Sequence, residues 1–155
     1  MMENKICCFA GHSSIADKSD LSVQIYEKCE KLICQCGVKT FWVGNYGSFD
    51  TLAAGIVRKL KSKYSDIELD LILPYVTKTI NEYREMYYKE YDHMIIADMP
   101  ENTPVRYRIL KCNQFMIEQS DFLIAYVNHS FGGAAKTLEY ARKKKQIEIF
   151  NFGTG

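Results

Sequence analysis

Proline is scarce in this chain, with three residues confined to positions 74–104, so the patterns on either side of that window run without a proline break. No proline-rich or low-complexity linker and no internal repeat divides the sequence, and residues 1–155 are expected to form one domain. An excess of charge is also missing: the formal net charge is +1, which gives no general attraction to nucleic acid or to an anionic membrane. The one basic run, Arg142 to Lys145, falls at the end of a helix pattern, where complementing the helix dipole is favoured over a nucleic-acid patch. No apolar run is long enough for a membrane span, and MMENKICCFAGH lacks the layout of a signal peptide. The six cysteines include no CxxC pair and no Cys/His cluster with zinc spacing. Reduced thiols in a cytoplasmic protein are therefore expected, with Cys7 and Cys8 in a buried strand and Cys29 and Cys36 on an apolar helix face, and neither a metal nor a cofactor is expected.

What the sequence does have is alternation of strand and helix patterns. Lys5–Ala10 is a short apolar run closed by Gly11-His12-Ser13-Ser14. Asp20 suits the cap of a helix whose stripe is Leu21, Ile25, Cys29, Leu32, Ile33 and Cys36, and Gly37 stops it. A second strand, Lys39–Val43, ends at Gly44-Asn45-Tyr46-Gly47, and Ser48 suits the cap of the next helix, with the stripe Leu52, Ala53, Ile56, Val57 and Leu60. Ile67–Leu73 is a third strand, stopped by Pro74. The tyrosine-rich segment 76–92 holds a short helix, in which Tyr83, Tyr87, Tyr88 and Tyr91 have the spacing of one face. His93–Ala97 is a fourth strand, and Pro104 suits the first turn of a helix carrying Ile109, Cys112, Phe115, Met116 and Gln119 inward. Phe122–Val127, a helix from Ala134 to about Lys145, and Ile147–Phe150 complete the order, with Gly153–Gly155 expected to fray.

This order implies an α/β, Rossmann-like, three-layer domain: a mainly parallel sheet with helices on both faces. Ligands of such sheets bind beyond the carboxyl ends of the strands, where strand order reverses. Three polar glycine loops would converge there. The first offers Gly11, His12, Ser13 and Ser14, the second Gly44, Asn45, Tyr46 and Asp50, and the third Gly132, Gly133, Ala134, Lys136 and Thr137. Gly132-Gly133 before a helix aims orphan N–H groups at an anion, although a glycine pair also makes a plain turn. The serines can meet a phosphate or simply close a turn. His12 and His129 have no carboxylate partner visible in the sequence, so a hydrogen-bonding role competes with acid–base work. Tyr46 could stack on a base and Asn45 could hold a ribose or phosphate, while Asn45, Tyr46 and Asp50 could equally form and cap the turn. Lys136 could equally face solvent, and Asp121 reads as a structural link between helix and strand.

CCFAGHSS, FWVGNYGSFDTLAA, LILPYVT and SDFLIAYVNHSFGGAAKTLEYA together resemble the SLOG superfamily, over Lys5 to about Phe150. The resemblance implies a Rossmann-like protein, frequently a homodimer, that binds a nucleotide or nucleotide-derived sugar phosphate. It also leaves two functions open: sensing of AMP, ADP-ribose or NAD-derived ligands, or LOG-like cleavage of nucleoside 5′-monophosphates with Glu139 as the catalytic carboxylate. Single-stranded DNA binding, the property of the related SMF mediators, is disfavoured by the near-neutral charge. Against the LOG motif, Gly132, Gly133 and Glu139 hold their places, and Met116 and Ser120-Asp121 match upstream. Phe131, Ala135 and Lys136 depart from it, Cys112 stands where the LOG arginine would be, and Asn113 replaces a lysine. A cysteine cannot clamp phosphate as a guanidinium does, and Arg106, Arg108 or Lys111 would have to supply that charge.

Overall fold

The computed structural model describes residues 4–12, 15, 19–45, 47–76 and 78–153. Strands β1 (Lys5–Gly11), β2 (Val38–Val43), β3 (Glu68–Leu73), β4 (His93–Ile96), β5 (Phe122–Tyr126) and β6 (Glu148–Asn151) form one sheet in the order β4-β3-β2-β1-β5-β6. Every pairing is parallel. The helices are α1 (Ser19–Cys36), α2 (Ser48–Lys63), α3 (Lys78–Glu82), α4 (Arg84–Glu90), α5 (Val105–Gln119) and α6 (Gly133–Arg142). The Rossmann-like architecture is the expected one.

Alternation along the strands sorts the core into two layers. Cys7, Phe9, Phe41, Val43, Leu69, Leu71 and Ile124 face α1 and α2, together with Ile80 of α3. Cys8, Trp42, Ile72, Leu123 and Ala125 face α5 and α6. Successive crossovers from β1 to β4 lie on the first face. The chain then returns past β1, and α5 and α6 cover the second face. Strand order therefore reverses between β1 and β5, which leaves a crevice at their carboxyl ends.

Several local expectations are corrected. Asp20 lies inside the first turn of α1 and Ser48 is already helical; the cap of α2 is Gly47, at φ 109°, with no side-chain cap bond. Pro104 sits one position earlier than expected, as the cap of α5. The segment 76–92 holds two short helices, and α4 buries none of its own residues: Tyr87 and Tyr91 stack together, while Tyr83 and Tyr88 are exposed. Cys36 is exposed, as is Cys34, whereas Cys7, Cys8, Cys29 and Cys112 are buried; all six are free thiols. Gln119 and Ile109 are exposed, and Ile117 fills the inward face of α5 in their place. Gly37, at φ 76°, does stop α1, in the left-handed region that favours glycine.

Two contacts set the frame of the crevice. Asp121 is the structural link expected of it: its carboxylate accepts the Ile6 N–H at 3.0 Å, and its own N–H donates to the Ile6 carbonyl at 2.8 Å. At the other end of β5, Asn151 accepts from the Val127 N–H and donates to the Val127 carbonyl, each at 3.0 Å. Gly153 continues that clamp, because a Cβ there would lie 2.5 Å from the Val127 backbone. It is packed rather than frayed, and positions 154–155 lie outside the described residues.

Gly11 is held to glycine by the core. A Cβ would fall 2.3 Å from Phe49 Cγ, and Phe49 is fully buried against Phe9 and Tyr126. We expect Gly11→Ala to cost about 1–3 kcal/mol through overpacking, read as a lower denaturant midpoint. Adding Phe49→Leu should recover part of the loss. An unchanged midpoint in the single variant would contradict this packing.

Candidate functional site

Where strand order reverses, the structure forms a cleft of about 410 Å³ lined by Gly11, His12, Asp50, Asn113, Phe131, Gly132, Gly133, Ala134 and Thr137, among others. This size is within the usual range of small-molecule sites. Its floor is the end of β1, where the His12 N–H donates to the Tyr126 carbonyl at 3.2 Å and extends the β1–β5 ladder by one bond.

One wall is the N-terminus of α6. Gly132 is its cap, at φ 93°, a conformation that disfavours any side chain, and no side-chain cap bond is made there. A helix start without a side-chain cap presents N–H donors and the positive end of the dipole. Nothing lies within 4 Å of where a Gly133 Cβ would be, so the approach to those donors is open. The Thr137 hydroxyl is turned back to the Gly133 carbonyl, at 2.9 Å, and the residue is buried.

The other wall is aromatic. The His12 ring stacks on His129 at 3.6 Å, and His129 stacks on Phe131 at 3.9 Å. Phe131, at the outer end, is 72% exposed. His12 Nε2 accepts the Asn128 N–H at 3.0 Å, which requires that nitrogen to be unprotonated. Burial, followed by the neighbouring His129, lowers the pKa of His12 below its ordinary value. A neutral imidazole that orders the loop after β5 is the arrangement seen.

Not every expected residue reaches the cleft. Asn45 lines a separate groove against α4, with Arg58 and Glu90. Gly44 backs Asp50, since a Cβ there would sit 3.1 Å from Asp50 Oδ2. Ser13, Ser14 and Tyr46 lie outside the described residues. Lys136 and Glu139 line a second groove, of about 790 Å³, with Arg142, Lys143 and Asn151. The Glu139 side chain is 66% exposed and lies 3.8 Å from Arg142. Glu139 follows Thr137 by two residues, about 200° around a helix, so the two cannot face one cleft.

Cys112 is buried, and that burial, with the charge of Asp50 adding to it, pushes its thiol up to about 12. It supplies no charge to the site. Asn113, His129 and Phe131 line the cleft too, although Asn113 and Phe131 stand in the sequence only as departures from the LOG motif. Ile109, expected in the core, is a cleft residue exposed on α5.

The YspA SLOG family model matches residues 16–152. The chain belongs to that family. A UPF0398 protein of Bacillus cereus (strain B4264) is 30% identical over 107 residues, which cover 64% of this chain and 57% of that protein. A UPF0398 protein of Bacillus thuringiensis (strain Al Hakam) is 29% identical over the same span. The chain thus matches a little over half the length of these relatives. Among solved structures, it is similar to DNA processing protein A from Streptococcus pneumoniae (TM-score 0.68, 13% identity, 96% of this chain and 50% of that one). It is also similar to the molybdenum cofactor carrier protein of Chlamydomonas reinhardtii (TM-score 0.55, 15% identity, 99% and 79%). At these identities the likeness is one of fold. Among the described residues, no helix is long and apolar enough to cross a membrane.

The state of His12 has a pH consequence. Its folded pKa lies below the ordinary 6.5, so the unfolded chain binds the proton more readily. The stability it contributes is complete above the ordinary value and is lost as pH falls through the folded value. Denaturant midpoints measured from pH 7.5 down to about pH 5 should therefore fall less steeply for His12→Phe than for the parent chain. Identical slopes would exclude a neutral, buried His12.

Proposed function

We propose that this SLOG-family protein binds a nucleotide or a nucleotide-derived phosphate, of the AMP, ADP-ribose or NAD-derived type, in the cleft between β1 and β5, acting as a sensor or carrier. One observation carries the reading: the start of α6 has no side-chain cap and opens, at Gly133, onto a cleft that a stack of rings also lines. The N–H groups and helix dipole favour a phosphate. The exposed face of Phe131 suits a planar base, because stacking on an aromatic ring tolerates any base. Asn113 and Asp50 also line the cleft, where a sugar would meet them.

Turnover by LOG-like glycosidic cleavage is the weaker reading. It needs a carboxylate beside the sugar and a cation on the phosphate. Glu139 faces the neighbouring groove, and Cys112 is a buried thiol where the LOG arginine would be. The Chlamydomonas neighbour is named as a molybdenum cofactor carrier and a Helicobacter pylori neighbour is described as binding single-stranded DNA. The first is consistent with a binding role for this fold. The second is disfavoured here by the net charge of +1.

Calorimetry against AMP, ADP-ribose, NAD and a labelled oligonucleotide tests the proposal. Saturable heat is expected with at least one of the three small ligands. Gly133→Val, which has room in the fold, should bind at least about tenfold more weakly, a loss of roughly 1.4 kcal/mol, with an unchanged melting temperature. Binding of the oligonucleotide alone, or equal affinity in the variant, would overturn the reading. Release of free base from a nucleoside monophosphate, abolished by Glu139→Gln, would restore the enzymatic one.

A further inference from the structure

At the amino ends of the strands, the edge of the sheet opposite the cleft, sheet register assembles a second cluster. Glu68 and Asp70 are two apart on β3 and so share a face. Asp70 is paired in register with Trp42 of β2 on one side and with His93 of β4 on the other. Trp42 Nε1 donates to Asp70 Oδ2 at 3.2 Å, which leaves Oδ1 directed at His93 Nδ1, 3.0 Å away. Glu68 Oε2 converges on that same nitrogen at 3.1 Å. Asp70 is 3% exposed, whereas Glu68 and His93 open towards solvent. The three donor atoms lie within 4.8 Å of one another.

An ion pair alone accounts for this convergence poorly. A single ring nitrogen carries at most one hydrogen and cannot serve two carboxylates at full strength. Even an imidazolium leaves the trio with a net charge of −1, so the cluster still favours a further positive charge. A metal ion bonded at about 2.0–2.2 Å holds adjacent ligand atoms roughly 3.0–3.5 Å apart at tetrahedral or octahedral angles, and both separations at Nδ1 fall in that range.

We propose that Glu68, Asp70 and His93 form a site for one divalent first-row transition ion. One imidazole nitrogen and two carboxylate oxygens suit such an ion, while the absence of sulfur from the set disfavours Cu(I). Two carboxylates and a neutral imidazole balance a charge of +2. Trp42 acts as the outer-sphere partner that fixes the Asp70 oxygen, the kind of support that ligating carboxylates receive in metal sites. All three ligands stand on strands, and the solvent side leaves positions for water. An ion there ties the edge strand β4 to β3.

Trp42 is the only tryptophan in the chain, and it reports on the site from one hydrogen bond away. Chelator-treated protein is titrated with cobalt(II), following Trp42 fluorescence and visible absorption. Saturable quenching at one ion per chain is expected, without a thiolate-to-cobalt charge-transfer band. His93→Ala and Glu68→Gln alter side chains open to solvent and should keep the fold, as thermal melting would verify. Each should weaken cobalt binding at least about tenfold. No saturable quenching, a thiolate band, or equal affinity in both variants would overturn the site and leave His93 in an ion pair only.

Discussion

The pairing of β5 with β1 is the constraint on which the rest of the structure depends. The β4-to-β5 crossover carries the chain back past three strands, and only because β5 then lies beside β1 does strand order reverse at that seam. Register sets Gly11 against Tyr126, and the His12 N–H takes the next carbonyl contact. That one bond brings the loop after β1 against the loop after β5. From it follow the ring stack, the aim of α6 and the position of the cleft. Asp121 secures the start of this seam and Asn151 secures its end, so the loop that makes the site is held at its entry by side chains distant in sequence.

The glycines around the cleft do different physical work, although they look alike in sequence. Gly11 makes room for Phe49, Gly132 adopts a left-handed backbone at a helix cap, and Gly133 leaves open space at the start of α6. The two walls are also unlike. Backbone donors that cannot titrate share the cleft with a row of rings whose inner member, His12, accepts a hydrogen bond through Nε2. Such a site suits an anion through a fixed dipole and a flat group through stacking, the two parts of the proposed ligand.

Strand and helix order, the parallel sheet and the glycine turn that opens α6 at Gly132-Gly133 were legible in the sequence, because hydrophobic periodicity and glycine turns are local signals. Helix caps were less so: Ser48 and Asp20 have the right chemistry at the wrong position, since a glycine or an earlier residue already starts the helix. The place of Glu139 was computable from the helical angle, and motif spacing obscured it. The face of Asn45, the convergence of His12 with His129, and the meeting of Asp70 with His93 were not legible, because each is fixed by packing or strand register between elements separated in the chain. Zinc-type spacing rules search along the sequence, and the Glu68, Asp70 and His93 cluster has no such spacing.

The central claim is that the phosphate seat is the start of α6 within the β1–β5 cleft rather than the more cationic groove on the far side of that helix. A crystal structure with AMP bound tests this most directly. The account predicts phosphate oxygens within hydrogen-bonding distance of the Gly133 and Ala134 N–H groups, with the adenine against Phe131. A phosphate held by Lys136 and Arg142 beside Glu139 would contradict it.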